Sequence, residues 1–169
     1  PPWTLLSVFD ISDPARPQLL GETTPIVGQR ENGTRINLFA TDLAVHERTV
    51  YLTVVDRLSG WFTGITIVNA QSFPLRYTLH KDMVSEGYRP LVHDRRLYIK
   101  GKLPQARVTE DKFFAGVMGF DLSNPLEPQW LGAAGHQAVD NNALDFDLVG
   151  QGKLLLHMTA SGRLLPIEV

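Results

Sequence analysis

The stretch VFDISDPARPQLLG at residues 8–21 is the most informative about the fold, because the chain contains it more than once. A close copy, GFDLSNPLEPQWLG, occupies residues 119–132, and a more divergent copy, ITIVNAQSFP, occupies residues 65–74. The last five residues, 165–169, resemble the opening of one more copy. Recurrence of a unit on this scale is typical of repeat proteins, in which each unit is one supersecondary element.

Each copy divides into a strand, a turn and a second strand. It begins with an apolar run, rich in β-branched and aromatic residues, that ends at an acidic or amide residue and favours a strand. In two copies Ser-Asp/Asn-Pro follows, where Asp13 or Asn124 can bond the backbone ahead of it and proline fixes φ for a turn. A second proline then suits the start of an outer strand, at residues 18–21 and 129–132.

A second recurring element precedes the first. It appears as LAVHERTVYL at residues 43–52, PLVHDRRLYI at 90–99 and DLVGQGKLLL at 147–156. Each version reads as a strand, a tight polar turn and a strand, which is a hairpin. The complete unit consists of a hairpin, a connecting loop, an apolar strand, a proline turn and an outer strand. This order predicts a four-stranded antiparallel meander, the blade of a β-propeller.

The spacing of the copies agrees with propeller blades. Matching residues Asp10, Asn69, Asp121 and Glu168 are 59, 52 and 47 positions apart, against roughly 40–50 residues for known blade repeats. No stretch shows a sustained helical period flanked by caps. The sequence therefore predicts an all-β fold, a β-propeller segment of about three four-stranded antiparallel blades in an incomplete ring.

The whole chain, 1–169, is predicted to be a single propeller segment. Residues 1–22 would end one blade, 40–81 and 90–132 would each form a complete blade, and 143–169 would start a further one. Propellers close with about 4–8 blades, so we expect the remainder of a longer polypeptide, or self-association, to complete the ring. Residues 4–11 would pair with a strand that this chain does not supply.

Ten apolar residues at corresponding strand positions are predicted to be largely buried between the blades. They are Val8, Val45, Tyr51, Ile67, Val92, Tyr98, Val117, Phe120, Val149 and Leu155.

The two best copies of the repeat resemble the LVIVD repeat, a propeller-type repeat of bacterial and archaeal proteins that are often secreted or attached to the cell surface. The copy at 65–74 departs from the pattern, because Phe73 replaces the first proline and the spacer is shorter. The resemblance implies a propeller with a binding role in an extracellular, cell-surface or periplasmic location. The family carries no fixed catalytic residues, so the resemblance assigns no active site.

Composition narrows the functional classes. The chain is 43% apolar and 20% charged, which is ordinary for a soluble globular protein. Its net charge of −2 gives no hint of the basic patch that nucleic acid requires. The absence of cysteine excludes disulfides and thiol catalysis, and no apolar run approaches the ~20 residues of a membrane span. Because the chain starts with Pro1 rather than Met, we expect a trimmed or excised N-terminus.

No motif for catalysis or cofactor binding stands out, so no catalytic residue, cofactor or metal is predicted. His46 and His93 hold equivalent positions in successive hairpins, and no His-x-x-x-His pair is present. No serine lies in a Gly-x-Ser-x-Gly context. The densest oxygen cluster is Asp140-Asn141-Asn142 with Asp145 and Asp147. It fits either a calcium site or an Asx-rich turn before a strand.

The long loops are predicted to lie on one face of the propeller, at 22–39, 55–63, 82–89, 100–115 and 133–143. Binding residues concentrate on loops held by a rigid scaffold, and aromatics with arginine are enriched in binding patches. The candidates are Arg30, Trp61, Phe62, Arg107, Lys112, Phe113 and Phe114. Alternatively the aromatics fold back to cover the ends of the blades.

Three functions remain open from the sequence. The leading hypothesis is a non-enzymatic propeller scaffold that binds a protein or glycan partner through these loops. One alternative is a part of a larger propeller enzyme, an oxidoreductase or hydrolase, whose catalytic residues lie outside this segment. The other is a structural spacer of a surface protein.

Overall fold

The structure is a computed structural model that describes residues 5–30, 32–56, 62–81, 83–84, 86–102, 114–137, 145–149, 154–158 and 164–168. These residues contain fourteen strands and no helix. The strands are β1 (Ser7–Asp10), β2 (Gln18–Glu22), β3 (Val27–Gln29), β4 (Arg35–His46), β5 (Thr49–Asp56), β6 (Phe62–Asn69), β7 (Arg76–His80), β8 (Glu86–His93), β9 (Arg96–Lys102), β10 (Phe114–Asp121), β11 (Gln129–Gln137), β12 (Asp145–Val149), β13 (Leu154–Met158) and β14 (Leu164–Glu168).

The strands form four antiparallel sheets, in each of which neighbours along the chain are neighbours in the sheet. The sheets are β1–β2, β3–β4–β5–β6–β7, β8–β9–β10–β11 and β12–β13–β14. The predicted all-β, antiparallel fold is therefore confirmed. That the sheets are blades of a propeller stays a prediction.

Several segments predicted to be loops contain strand residues, since β8 begins at Glu86, inside 82–89, and β11 runs to Gln137, inside 133–143. Residues 22–39, expected to be a loop, contain β3 and the start of β4. The turn between them is built on Asn32, whose side-chain oxygen accepts a hydrogen bond from the Thr34 N–H at 3.0 Å. Gly33 in that turn has φ of 82°, which glycine adopts without strain. Apolar alternation after the turn buries Ile36 and Leu38 and extends the sheet.

One hydrogen bond recurs in all three copies, at the end of the strands β1, β6 and β10. The side-chain oxygens of Asp10, Asn69 and Asp121 each accept a hydrogen bond from the N–H two residues on, at 2.8, 2.8 and 3.1 Å. The predicted bonds of Asp13 and Asn124 are confirmed, since each accepts from the N–H two residues ahead, at 3.1 and 3.2 Å. These local bonds offer the backbone a partner outside the sheet and end the strand.

The β-bulge of the outer strand also recurs. In both β1–β2 and β10–β11 the register shifts by one residue beside the glycine of the outer strand, Gly21 or Gly132. The residues left between paired positions are Leu20 and Leu131, and both are exposed. The sequence repeat is thus also a repeat of backbone geometry.

We expect that Asp and Asn can replace each other at the first position of this turn, and that removing the side-chain acceptor lowers the free energy of unfolding. Asp121→Ala removes the acceptor of the Ser123 N–H and hydroxyl, and we expect a loss of about 1 kcal/mol. Asp121→Asn keeps an acceptor, as Asn69 does in the second copy, so we expect it to be close to neutral. Urea denaturation measures both, and equal losses would show that the side-chain bond does not stabilise the turn.

The five-stranded sheet is buried on both faces. One face packs Tyr51, Ile65 and Ile67 into a core shared with the four-stranded sheet, which contributes Leu97, Ile99, Met118 and Phe120. The buried members of the opposite core, among them Val50, Leu52 and Val54, all come from the five-stranded sheet and its flanking residues, and partly buried Leu6 and Val8 of the β1 region pack against them. Alternate residues of β5 thus point into two different cores, as expected for a strand covered on both sides.

The two outer strands of the five-stranded sheet approach each other, so the sheet nearly closes on itself. The Tyr77 hydroxyl on β7 donates to the carbonyl of Pro25, which lies just before β3, at 3.0 Å. The same hydroxyl accepts from the N–H of Val27, the first residue of β3, at 3.1 Å.

Most of the predicted core is confirmed where the structure describes it. Tyr51, Ile67, Tyr98, Val117 and Phe120 are buried, and Val8 and Val92 are half-buried. The side chains of Val149 and Leu155 lie outside the described residues. The prediction for Val45 is wrong, because its side chain is 54% exposed.

Candidate binding surfaces

Of the seven predicted binding residues, the structure places one side chain. Trp61, Arg107, Lys112 and Phe113 lie outside the described residues, and Phe62 and Phe114 begin β6 and β10 with side chains that are also outside them. Their binding role stays a prediction.

Arg30 ends the β3 region, where its guanidinium donates to the carboxylate of Asp56 on β5. The Asp56 side chain is almost wholly buried, whereas that of Arg30 is partly exposed. A buried carboxylate needs such a charged partner. The pair therefore fastens the β3–β4 hairpin to β5, which gives Arg30 a structural role.

The candidate calcium ligands are only partly within the described residues. Asp140-Asn141-Asn142 lie outside them, and Asp145 and Asp147 lie on β12 without described side chains. Within the described part of the chain, no group of three or more His, Cys, Asp or Glu side chains could hold a metal ion. None of the described residues forms a helix long and apolar enough to cross a membrane.

An apolar cleft lies between the β1–β2 sheet and the near end of β4. We call it the β1–β4 cleft, and its volume is about 570 Å³. Its apolar walls include Leu6, Val8, Phe9, Leu43, Val45 and Phe73. Glu47 and Arg48, in the β4–β5 turn, add polar groups to its lining.

The cleft exposes one end of an otherwise buried sheet face. Val45 pairs with Val50, and Leu43 with Leu52, across the β4–β5 ladder, so each pair lies on one face of the sheet. Val50 and Leu52 are buried, but Val45 and Leu43 are about half exposed. Leu6 and Val8 of the β1 region pack against the cluster that contains Val50 and Leu52, whereas Val45 and Leu43 lie outside that cluster.

Tyr51 points away from the cleft into the other core, and its hydroxyl donates to the Pro125 carbonyl at 2.8 Å. This bond links the five-stranded sheet to the proline turn of the next repeat. Burial raises the pKa of the Tyr51 hydroxyl well above its ordinary value, and the nearby charge of Glu47 adds to the effect.

Stability should therefore fall in strong alkali. Because the pKa of the Tyr51 hydroxyl is raised in the folded state, the neutral hydroxyl stabilises the fold fully below the pKa of tyrosine in the unfolded chain, about 10. That contribution is lost as the pH rises further. We expect the unfolding free energy to decline above about pH 10, and the Tyr51→Phe variant to decline less. Equal slopes for the two proteins, measured by urea denaturation, would contradict the assigned burial of the hydroxyl.

Comparison of the chain with known protein families, with curated proteins and with solved structures found no match. The function therefore has to be inferred from the sequence repeat and from the geometry.

Sequence reasoning missed the β1–β4 cleft as a surface, although it contained the relevant signal. It predicted that residues 4–11 lack a strand partner, yet it assigned Val45 to the core.

Proposed function

We propose that the chain is a segment of a β-propeller that acts as a non-enzymatic scaffold and binds a protein or glycan partner through loops on one face. The resemblance to LVIVD repeats supports this proposal, and with it we propose a location outside the cytoplasm. The observation that carries it is the five-stranded sheet, which packs one face on the four-stranded sheet, while partly buried Leu6 and Val8 of the β1 region lie against the core on its other face. Face-to-face packing of successive meanders is the arrangement of neighbouring blades.

The order of contacts between the strands adds support. β8, the first strand of its meander, lies against β4, and it also approaches β5 and β6. In a propeller the first strands of successive blades line the central channel and neighbour one another. In the proposed arrangement β12 would lie against β8 as β8 lies against β4.

Cross-linking tests this arrangement, and a chain without cysteine gives a clean background. We expect the pair Leu91→Cys on β8 and Val149→Cys on β12 to be joined efficiently by a short bismaleimide. The matched control pairs Leu131→Cys, on the outer strand β11, with the same Val149→Cys. If the two pairs react equally, successive sheets are not arranged as blades.

The binding role is tested separately on an array of glycans and purified cell-surface proteins. We expect Trp61→Ser and Phe113→Ser each to reduce binding to any captured ligand by about tenfold or more, as for aromatic anchors. Phe73→Ser, which alters an exposed aromatic of the β1–β4 cleft, is the control that should keep binding. Binding that is unaffected by both loop variants would exclude this face as the ligand site.

A further inference from the structure

The strands β1, β6 and β10 hold the same position in the three copies of the repeat, but they have different neighbours. β6 is hydrogen-bonded to β5 and β7, and β10 to β9 and β11. Among the described strands, β1 at the matching position pairs with β2 alone. Its other edge therefore presents backbone groups of the kind that accept an added strand.

Matched residues of the copies differ sharply in burial. Phe9 corresponds to Val68 and Phe120, yet it is 51% exposed while they are 0% and 1% exposed. Ile11 corresponds to Leu122 and is 67% exposed, against 1%. The side chain of Asp10, Asn69 or Asp121 makes the same hydrogen bond at the end of the strand in each copy, so we attribute the difference to the neighbours and not to the strand itself.

The strand with this open edge also lines the β1–β4 cleft. Val8 and Phe9 of β1 line it together with Leu43 and Val45 of β4. A strand paired with β1 would bring alternate side chains over Leu43 and Val45, because residues on one face of a sheet recur every second position.

We propose that the β1–β4 cleft is the docking site of a two-stranded antiparallel β-hairpin belonging to polypeptide that precedes β1. One strand of the hairpin pairs with β1, and its apolar face covers Leu43 and Val45. This inference rests on the proposed propeller arrangement and names the partner that completes its first blade.

The repeat itself identifies the occupant. In each of the other copies, a hairpin of this chain comes directly before the third strand and pairs with it: β4–β5 before β6, and β8–β9 before β10. A small apolar ligand would fill the cleft but leave the β1 edge unpaired. A second copy has no free hairpin to donate, because β5, β9 and β13 each already pair on both sides.

The test supplies such a hairpin from the chain's own sequence. Residues 40–61, which contain the β4–β5 hairpin and its connection, are duplicated in front of Trp3, the position that matches Phe62. We expect the melting temperature to rise by about 5 °C or more. We also expect amide exchange at Ser7–Asp10 to slow by about tenfold or more, because β1 gains a second neighbour.

Two controls separate docking from a general effect of the extension. An extension with the same composition in scrambled order should change neither the melting temperature nor the exchange of β1. In the ordered extension, Tyr51→Cys in the duplicated copy combined with Val45→Cys in the host should form an intramolecular disulfide on mild oxidation. Leu131→Cys, exposed to 55% like Val45, replaces Val45→Cys in the matched control and should not form one.

The outcomes are distinct. The hairpin proposal is overturned if amide exchange at β1 is unchanged and no disulfide forms with Val45→Cys. This holds even if the unextended chain folds poorly. Disulfides between molecules instead of within one would assign the cleft to a second copy and likewise overturn it. If these results occur while Leu91→Cys and Val149→Cys still cross-link, the hairpin proposal fails and the propeller proposal stands.

Discussion

Phe120→Ala should destabilise the protein by about 3–5 kcal/mol, the usual cost of removing a buried aromatic side chain. Phe120 is among the largest fully buried side chains and lies in the core shared by the four-stranded and five-stranded sheets. Its ring packs edge-to-face against Trp130, with centroids 5.4 Å apart, an arrangement that stabilises beyond the area buried. Tyr51→Ala should cost a similar amount, since it also removes the bond to the Pro125 carbonyl.

Phe9→Ala is the matched control for Phe120→Ala. Phe9 holds the same repeat position, but about half of its surface is exposed, so we expect a cost of about 1 kcal/mol or less. Urea denaturation of the three variants and the parent gives the comparison. Near-neutral values for both Phe120→Ala and Tyr51→Ala would mean that the strand register is wrong.

Gly64→Ala should be the second large perturbation, at about 2–4 kcal/mol from strain and overpacking. Gly64 has φ of 141°, which residues with a side chain rarely adopt. A Cβ there would lie 2.5 Å from the His80 carbonyl oxygen and 3.0 Å from the Lys81 Cα, both backbone atoms. The β6–β7 ladder, in which His80 pairs with Ile65, would have to shift.

Gly119→Ala on β10 is the control for this variant. A Cβ at Gly119 would meet no atom closer than 3.8 Å, so we expect a change of about 1 kcal/mol or less. Thermal unfolding followed by circular dichroism measures both. A Gly64→Ala protein as stable as Gly119→Ala would refute the close approach of β6 to the end of β7.

The sequence was sufficient for most of the strands because local chemistry determines them. Alternating apolar residues, two-residue hairpin turns and the side-chain acceptors of Asp10, Asn69 and Asp121 act within a few positions of one another. Even the turn Asp94-Arg95, where both residues have positive φ, was predictable as a tight hairpin turn.

Burial at the edges of the sheets was not predictable in this way, because it depends on which sheet lies opposite. Val45 and Tyr51 both sit on apolar strands at repeat positions, yet one is exposed and the other buried. The role of Arg30 depends likewise on Asp56, 26 positions away and buried. β3 was missed because its three residues are too few to show a period of their own.

We propose that this chain is a propeller segment whose β1 edge and β1–β4 cleft are open. Light scattering on the isolated 169-residue chain, with a subunit mass of 18.9 kDa, tests it most directly. We expect an oligomer, aggregation or poor folding, because apolar sheet surface and unpaired strand edges associate in water. A well-folded, stable monomer in dilute solution would contradict the claim.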